Sequence, residues 1–353
     1  MVTITNAGLS ELLWRAGQEE AGHRRQALER ASRAARFWSE EASDLADMDR
    51  SLTELPNVGP WVGAKIHEWL DEPPPIPEPP EIRRGFLTLS QVRAVLDGAP
   101  DWEGSPHADL QMHTTESDGS LPLRGMVEAA REIGRSFVAI TDHSQGLRIA
   151  NGMDATRLAA QGLAIDRLNA ELAGQGDPFR VLRSIEMDVL PDGSSDMEPE
   201  ALAPLDMVLG AFHSQLRVPH DQTERYLTAL RNPDVQILAH PRARMFGKRV
   251  GLLADWSKVF DEAARLGKAL ELDATPARQD LDVELARLAM RSGVRWFSIG
   301  SDAHSAAELG ALPFGLATAA LAEIPRDRIL NYRSADFVSR WAAELRDARA
   351  GSV

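Results

Sequence analysis

Cysteine is absent from the 353 residues of the sequence. Its absence excludes disulfide bonds, a disulfide-linked partner, cysteine nucleophiles, thiolate zinc sites and iron–sulfur clusters. Any metal bound by this chain must therefore have nitrogen and oxygen ligands, which histidine and carboxylate side chains supply.

Long apolar runs are also missing, and none approaches the roughly 20 residues that cross a membrane. The N-terminal segment lacks a basic stretch followed by an apolar core, so the sequence predicts no secretory signal, no membrane partner and a cytoplasmic location. The net charge of −14 argues against binding nucleic acid through bulk electrostatics. Bound divalent ions and clustered arginines can still invert the field inside a cleft.

Proline is concentrated in one place, with six prolines among the nine residues 72–80. Such a segment forms neither a helix nor an inner strand and is typical of a stiff spacer. The sequence therefore predicts three parts: a helical domain over 1–71, a Pro-rich linker with a connecting helix over 72–105, and a large domain over 106–353.

In the large domain, strand patterns alternate with amphipathic helix patterns, which indicates an α/β fold with a parallel sheet wrapped by helices. Seven repeats favour a closed barrel, and an open sheet is the alternative. The predicted strands are 108–112, 136–141, 179–185, 207–212, 235–239, 269–272 and 295–299. The predicted helices between them include 123–133, 155–172, 224–231, 257–266 and 283–291.

Imidazole or carboxylate side chains follow every predicted strand at its C-terminal end, the rim that carries the active site in β/α barrels. A single histidine there is more often structural, and a single aspartate is more often a helix cap. However, five of the nine histidines follow five different strands, which independent structural roles do not explain. The residues that follow the strands are His113, Asp118, Asp142, His143, Glu186, Asp188, His213, His240, Asp273, Asp302 and His304, and this group predicts a metal site.

Mixed histidine and carboxylate ligands suit zinc, manganese or iron. Two metals about 3.5–4 Å apart clamp a phosphate and lower the pKa of a bound water, which gives a hydroxide nucleophile at neutral pH. The set therefore predicts two or three divalent ions and a phosphate-ester substrate. Glu186 is the natural bridging ligand, and Glu186, Asp302 and His304 are the candidate catalytic residues.

The motifs DLQMHTTESDG (109–119), ITDHS (140–144), SIEMD (184–188), GAFHS (210–214), LAHPRARMFGKR (238–249), ELDATP (271–276) and GSDAHS (300–305) follow one another along the chain. Together they resemble the PHP (polymerase and histidinol phosphatase) family over about residues 106–345. The resemblance implies a distorted seven-stranded β/α barrel and a site for three metals. It assigns His113, Glu186 and Asp302 to the first metal, Glu186, His213 and His240 to the second, and Asp118, His143 and His304 to the third.

Two positions depart from the family pattern. Gln111 stands where the family usually has histidine, and an amide oxygen is a poorer ligand, so its place among the ligands is doubtful. Asp273 stands where relatives usually have asparagine and adds a negative charge. Candidates for holding the substrate phosphate are the arginines after the second, fifth and sixth strands, since arginine makes bidentate contacts with phosphate. These are Arg148, Arg242, Arg244 and Arg278, and Lys248 and Arg249 also follow His240. Ordinary surface charge is the alternative for each of them.

The segment LTELPNVGPWVGAKI (52–66) resembles a helix-hairpin-helix, in which backbone N–H groups at a helix N-terminus face a DNA phosphate. The predicted DNA-binding residues are Val58, Gly59, Gly63 and Lys65. A packing role is the alternative. Residues 5–71 also resemble the small domain of bacterial family X DNA polymerases, but the sequence has no room for a polymerase palm between Ala64 and Asp109.

The leading hypothesis is therefore a metal-dependent hydrolase of phosphoester bonds in DNA, acting at 3′ ends as an exonuclease or a phosphatase. The alternatives are a small-molecule phosphatase of the histidinol phosphatase type and a non-catalytic PHP binding module. The acidic net charge favours the small-molecule enzyme, whereas the hairpin motif favours DNA.

Overall fold

Residues 4–99, 102, 106 and 108–350 are described by a computed structural model of the chain. They fall into two units, Met1–Gly98 and Ala99–Val353. None of the helices in these ranges combines the length and the apolar character that a membrane span requires.

The first unit is helical. Its helices are α1 (Asn6–Glu19), α2 (Gly22–Ala35), α3 (Ala42–Asp47), α4 (Pro60–Asp71) and α5 (Leu89–Asp97), with short 3-10 turns at Leu52–Glu54 and Glu81–Arg83. Leu9, Leu13, Leu28, Trp38 and Ile66 are fully buried together, so this unit has its own hydrophobic core. The helical prediction for this region is correct, and the helix-hairpin-helix assignment stays a prediction.

The predicted linker packs in part on the first unit. Ile76 lies so close to Gly8 that a Cβ there would come within 3.1 Å of its Cδ1. Arg83 donates two hydrogen bonds, of 2.9 and 2.7 Å, to the Glu11 carboxylate. Because of these contacts, the boundary between the units follows Gly98 rather than residue 71. The functional division into domains stays a prediction.

The second unit alternates strands and helices. Its strands are β1 (Ala108–Asp109), β2 (Phe137–Ile140), β3 (Arg180–Arg183), β4 (Glu186–Asp188), β5 (Leu209–Ala211), β6 (Ile237–Leu238), β7 (Ala269–Asp273) and β8 (Trp296–Gly300). Its helices are α6 (Leu123–Glu132), α7 (Ala155–Gly174), α8 (Pro199–Leu202), α9 (Thr223–Arg231), α10 (Trp256–Leu266), α11 (Val283–Arg291), α12 (Leu312–Leu321) and α13 (Ala335–Ala350).

The strands form two parallel sheets, in the orders β1-β2-β3 and β4-β5-β6-β7-β8. This confirms the α/β class and the parallel pairing, but the described residues form eight strands in two sheets rather than seven in one. The predicted strand 179–185 ends at Arg183, and Glu186 begins β4, because the pairing partner changes from β2 to β5 at this point. Single parallel bridges, Met112 to Ala303 and His143 to Glu186, connect the ends of the two sheets.

Most strand residues are buried, as expected for parallel sheets that are covered by helices, and Arg180 of β3 is an exposed exception. All five residues of β7 are inaccessible to solvent. The helices are bounded by local signals: Asp154, Asp255 and Asp282 cap the N-termini of α7, α10 and α11, and Gly267 ends α10 in the left-handed conformation. Parallel strands of this kind deliver the residues that follow them to one rim.

Candidate metal centre

The predicted ligands converge at the C-terminal ends of the strands, with Glu186 in the middle. Its Oε1 lies 2.7 Å from His240 Nε2 and 3.0 Å from His213 Nε2. Its Oε2 lies 3.3 Å from His113 Nε2 and 3.4 Å from His143 Nδ1. One buried carboxylate thus faces four imidazoles that come from four different parts of the chain.

Two further carboxylates extend this group. Asp302 Oδ1 lies 3.0 Å from His113 Nε2. Asp118 Oδ1 lies 3.2 Å from His304 Nε2 and 3.6 Å from His143 Nε2. The side chains of Asp118 and His304 are 36% and 31% exposed, whereas Glu186 and His113 are fully buried. The cluster therefore opens to solvent on the side of Asp118 and His304.

The donor set fits divalent transition metals. In three overlapping groups, the ligand atoms lie within 4.8 Å of one another: His113, Asp118, His143 and His304; His143, Glu186 and His213; and His113, Glu186 and Asp302. Neutral imidazole and carboxylate are the ligands that zinc, manganese and iron accept. Buried nitrogens such as His113 Nδ1 and His143 Nδ1 also lack a hydrogen-bond partner among the described residues.

The charges of the cluster stabilise one another. Burial alone would raise the pKa of Glu186, but the imidazoles of His143 and His240 hold it well below its usual value. Burial lowers the pKa of His143 to about 4, which favours the neutral form of the ring, the form that binds a metal. Burial opposes the protonation of His213, but hydrogen bonds to Asp188 and Glu186 raise its pKa to about 9. A metal that binds at His213 must displace that proton.

Two ligands have unusual backbone conformations. His240 and Asp302 have φ values of 27° and 50°, although neither is glycine. Non-glycine residues at positive φ cost free energy and concentrate at functional sites. In this conformation Asp302 contacts His113, and His240 contacts Glu186.

Asp142 shapes the loop that carries Asp118, a role that the sequence analysis missed. Its carboxylate accepts hydrogen bonds from Thr114 N at 2.8 Å, Ser117 N at 3.2 Å and both side-chain hydroxyls, and from Gln161. Gly119 closes the same loop, where a Cβ would lie 2.5 Å from the His113 carbonyl oxygen. The only sequence signal for Asp142 was its position directly before His143, at the end of a predicted strand.

The two departures from the family pattern lie beside the cluster. Gln111 is fully buried, and neither atom of its amide has a hydrogen-bond partner among the described residues. Asp273 Oδ2 lies 3.6 Å from Arg278 Nε. Burial, followed by the charge of Asp302, raises the pKa of Asp273 well above its usual value. Glu271, which the sequence analysis did not select, accepts a 2.7 Å hydrogen bond from the backbone N–H of His240 and so helps to place that ligand.

The four candidate arginines differ in their surroundings. Arg278 lies at the cluster, with Nε 3.2 Å from Asp302 Oδ2. Arg242 and Arg244 pair with Asp282 at 3.3 and 2.8 Å, and Arg244 is only 2% exposed. Arg148 is exposed on a short 3-10 turn after β2. Phosphate binding by these residues stays a prediction.

In the first unit, Val58 and Gly63 are buried, which is consistent with packing. Gly59 is the exposed N-cap of α4, and Lys65 Nζ lies 5.0 Å from the centre of the Trp69 ring. DNA binding by these four residues stays a prediction as well.

The chain is similar in sequence to several bacterial proteins. Over 258 residues it is 40% identical to the DNA polymerase/3′-5′ exonuclease PolX of Bacillus subtilis, an alignment that covers 72% of this chain and 44% of that protein. It is 26% identical over 229 residues to the probable phosphatase YcdX of Escherichia coli K12, covering 63% of this chain and 89% of that protein.

Both relatives support the similarity of the chain to the PHP family of metal-dependent phosphoesterases. The two relatives named above are similar to the chain in sequence. The ligand cluster has the donors that a metal-dependent phosphoesterase needs. No family model matches the chain. The chain spans less than half of the length of PolX, at 44%.

A solved histidinol phosphate phosphatase from Lactococcus lactis, in complex with zinc, L-histidinol and phosphate, aligns with a TM-score of 0.41. The two chains are 15% identical, and the alignment covers 69% of this chain and 93% of that one.

Proposed function

We propose that this protein hydrolyses phosphoester bonds at DNA 3′ ends, as a 3′-5′ exonuclease or a 3′-phosphatase. The observation that carries the proposal is the contact of four imidazoles with the single carboxylate of Glu186. The name of the B. subtilis relative includes a 3′-5′ exonuclease. The resemblance of residues 52–66 to a helix-hairpin-helix supports a DNA substrate. We also propose that residues 52–66 form this motif and that the second unit is a variant of the distorted seven-stranded barrel.

The ligands would hold two or three divalent ions, with Glu186 shared between them. Such ions supply Lewis-acid activation of water and of the phosphate. Asp302 connects His113 to Arg278, since its two oxygens lie 3.0 and 3.2 Å from those side chains. Arg278 is thereby oriented at the cluster, where its guanidinium can bind a phosphate oxygen. His304 lies on the open edge, so the substrate enters past His304 and Asp118. We assign catalysis to Glu186, Asp302 and His304.

The test compares wild type with His213→Ala after loading with manganese or zinc. Removing a ligand should lower bound metal and reduce activity by on the order of 100-fold or more, because even the loss of a residue that supports a ligand costs 10–100-fold. His23→Ala, which changes an exposed histidine of the first unit, is the matched control. Metal content is measured by elemental analysis, and activity on single-stranded, nicked and 3′-phosphorylated DNA.

A protein that releases nothing from these DNA substrates but hydrolyses a chromogenic phosphomonoester is not a DNA enzyme. That result would favour the second candidate, a small-molecule phosphatase, which the net charge of −14 and the probable phosphatase YcdX support. A wild type that retains no metal and hydrolyses neither kind of ester would leave only the non-catalytic binding module.

A further inference from the structure

Two arginines in loops that follow metal ligands have no carboxylate within 4.0 Å among the described residues. Arg217 lies in the loop after His213 and forms neither a hydrogen bond nor an ion pair within 4.0 Å with any residue that the structure describes. Arg249 lies in the loop after His240, and its Nε donates to the carbonyl oxygen of Ala243. No carboxylate in the described ranges lies within 4.0 Å of the Arg249 guanidinium. By contrast, Arg278 pairs with Asp302.

The loops that carry Arg249 and Arg278 are joined. Phe246 N donates to Ala277 O at 2.8 Å, and Arg244 Nε donates to Arg278 O at 3.0 Å. A bridge between Met245 and Arg249 closes the first of these loops into a tight turn. The position of Arg249 is therefore fixed with respect to Arg278, and through it with respect to the ligand Asp302.

Arg278 and Arg217 both act electrostatically on Arg249. Burial lowers the pKa of Arg249, the positive charges of Arg278 and Arg217 lower it further, and the charge of Asp280 opposes them. Arg278 has two carboxylates nearby, since its Nε lies 3.2 Å from Asp302 and 3.6 Å from Asp273, whereas neither Arg217 nor Arg249 has a carboxylate within 4.0 Å among the described residues. An arginine without a carboxylate partner can bind an anion such as a phosphate.

The exposure of the three side chains increases from Arg278 to Arg249 and then to Arg217. The Arg278 side chain is 16% exposed, Arg249 is half-buried and Arg217 is exposed. The ligand cluster with its metals and Arg278 would already bind a single phosphate. The outer two arginines therefore face an anion that lies farther along the substrate.

We propose that Arg217 and Arg249 bind a second phosphate of the substrate, next to the one that is hydrolysed. The inference rests on the proposed function and narrows it: the preferred substrate is an oligonucleotide strand with consecutive phosphodiesters, rather than a compound with one phosphate. Arginine suits this role because its planar group binds phosphate in a bidentate manner and stays charged at all relevant pH values.

The test uses Arg217→Gln, Arg249→Gln and Arg249→Lys in the full-length, manganese-loaded protein. Each variant is assayed on a thymidine pentanucleotide and on thymidine 5′-(4-nitrophenyl) phosphate, which contains one phosphodiester. Each glutamine variant should lower kcat/KM for the pentanucleotide about tenfold, the loss expected for one charge-assisted contact, and change the single-phosphodiester reaction little. Arg249→Lys should retain most of the activity. Arg340→Gln, at an exposed arginine of α13, is the control.

Equal losses on both substrates would overturn the inference, since the arginines would then act at the hydrolysed phosphate or on folding. Unchanged kinetics on both substrates would overturn it too. Because Arg217 is exposed, its variant keeps the test valid if Arg249→Gln fails to fold. A wild type that cleaves the single phosphodiester but not the pentanucleotide would instead refute the DNA substrate itself, and the inference with it.

Discussion

At the scale of single residues, Gln111 is the clearest anomaly of the metal centre. Its amide is fully buried, and neither polar atom has a partner among the described residues. Leaving a buried amide unpaired costs about 1–3 kcal/mol. Gln111 is followed two residues later by the ligand His113, so its amide oxygen is a candidate for a ligand to the same ion.

Substituting Gln111 tests this role. Gln111→Leu should stabilise the chelator-treated protein by about 1 kcal/mol, because two unpaired polar atoms are removed. The same variant should bind less metal than wild type, and Gln111→His should retain more zinc, since imidazole is the better ligand. Urea unfolding with and without chelator measures the first effect, and elemental analysis the second.

Gln236→Leu is the matched control, because that buried amide accepts from Val208 N at 2.8 Å and donates to Pro233 O at 2.9 Å. It should destabilise the protein whether or not metal is present. If Gln111→Leu instead destabilises the chelator-treated protein and leaves metal content unchanged, the amide has an ordinary packing role.

The ligand residues could be predicted from the sequence because each follows a strand pattern, and parallel strands send such residues to one rim. Which arginines pair with a carboxylate could not be predicted from the sequence. Arg244 and Arg249 lie five positions apart in the same loop. Arg244 pairs with Asp282 at 2.8 Å, whereas no carboxylate of the described part of the chain lies within 4.0 Å of the Arg249 guanidinium. Such pairing depends on contacts between loops that no local pattern records.

At the scale of elements, Glu262 joins helices α9 and α10. Its carboxylate lies 2.7 Å from Arg265 Nε within α10 and 2.7 Å from Arg231 Nε of α9. Hydrogen bonds from Arg265 and then Arg231 lower the pKa of Glu262 from 4.5 to about 2. Because both arginine side chains are more than half exposed, solvent screens much of this stabilisation.

The effect of Glu262 on stability should depend on pH. A carboxylate with a lowered pKa in the folded state stabilises the fold above its unfolded pKa, near 4.5, and loses that contribution as the pH falls toward 2. Glu262→Gln should therefore lower the free energy of unfolding by about 1 kcal/mol at pH 7, and the difference should shrink between pH 4.5 and pH 2.

Urea unfolding of both proteins across this pH range measures the difference. The control is Glu284→Gln, because Glu284 is 81% exposed and pairs with Arg287 of its own helix. The stability of this variant should match that of wild type. A Glu262→Gln penalty that stays constant down to the lowest measurable pH would show that packing, not charge, is responsible.

Helices were predicted better than strands at this scale. Val283–Arg291 forms the helix predicted over 283–291, since its apolar spacing and the cap at Asp282 are local signals. The strand predicted over 179–185 is divided, because its first part pairs with β2 and Glu186 begins a strand that pairs with β5. Which neighbour a strand pairs with is a long-range property that hydrophobic runs do not specify.

At the scale of the whole molecule, the chain combines two units that each have a hydrophobic core. Leu13 and Trp38 belong to the core of the first unit, and Leu182 and Leu209 to a core of the second. All eight predicted metal ligands lie in the second unit. We therefore expect hydrolysis of a single phosphoester to depend on residues 99–353, and the proposed helix-hairpin-helix contacts to depend on residues 52–66.

Removing residues 1–98 should therefore separate ester hydrolysis from DNA binding. The remaining chain should keep its metal and hydrolyse a chromogenic phosphodiester at the wild-type rate, because its core and its ligands are intact. Its affinity for single-stranded DNA should fall, which fluorescence anisotropy measures at a fixed salt concentration, since salt weakens such binding steeply. Lys65→Glu in the otherwise unchanged chain is the matched point variant. It should weaken DNA binding, because a carboxylate in the N-terminal half of α4 repels phosphate. It should not change the hydrolysis of the chromogenic ester. Equal DNA affinity in all three proteins would assign the first unit a packing role and leave DNA recognition to the metal rim.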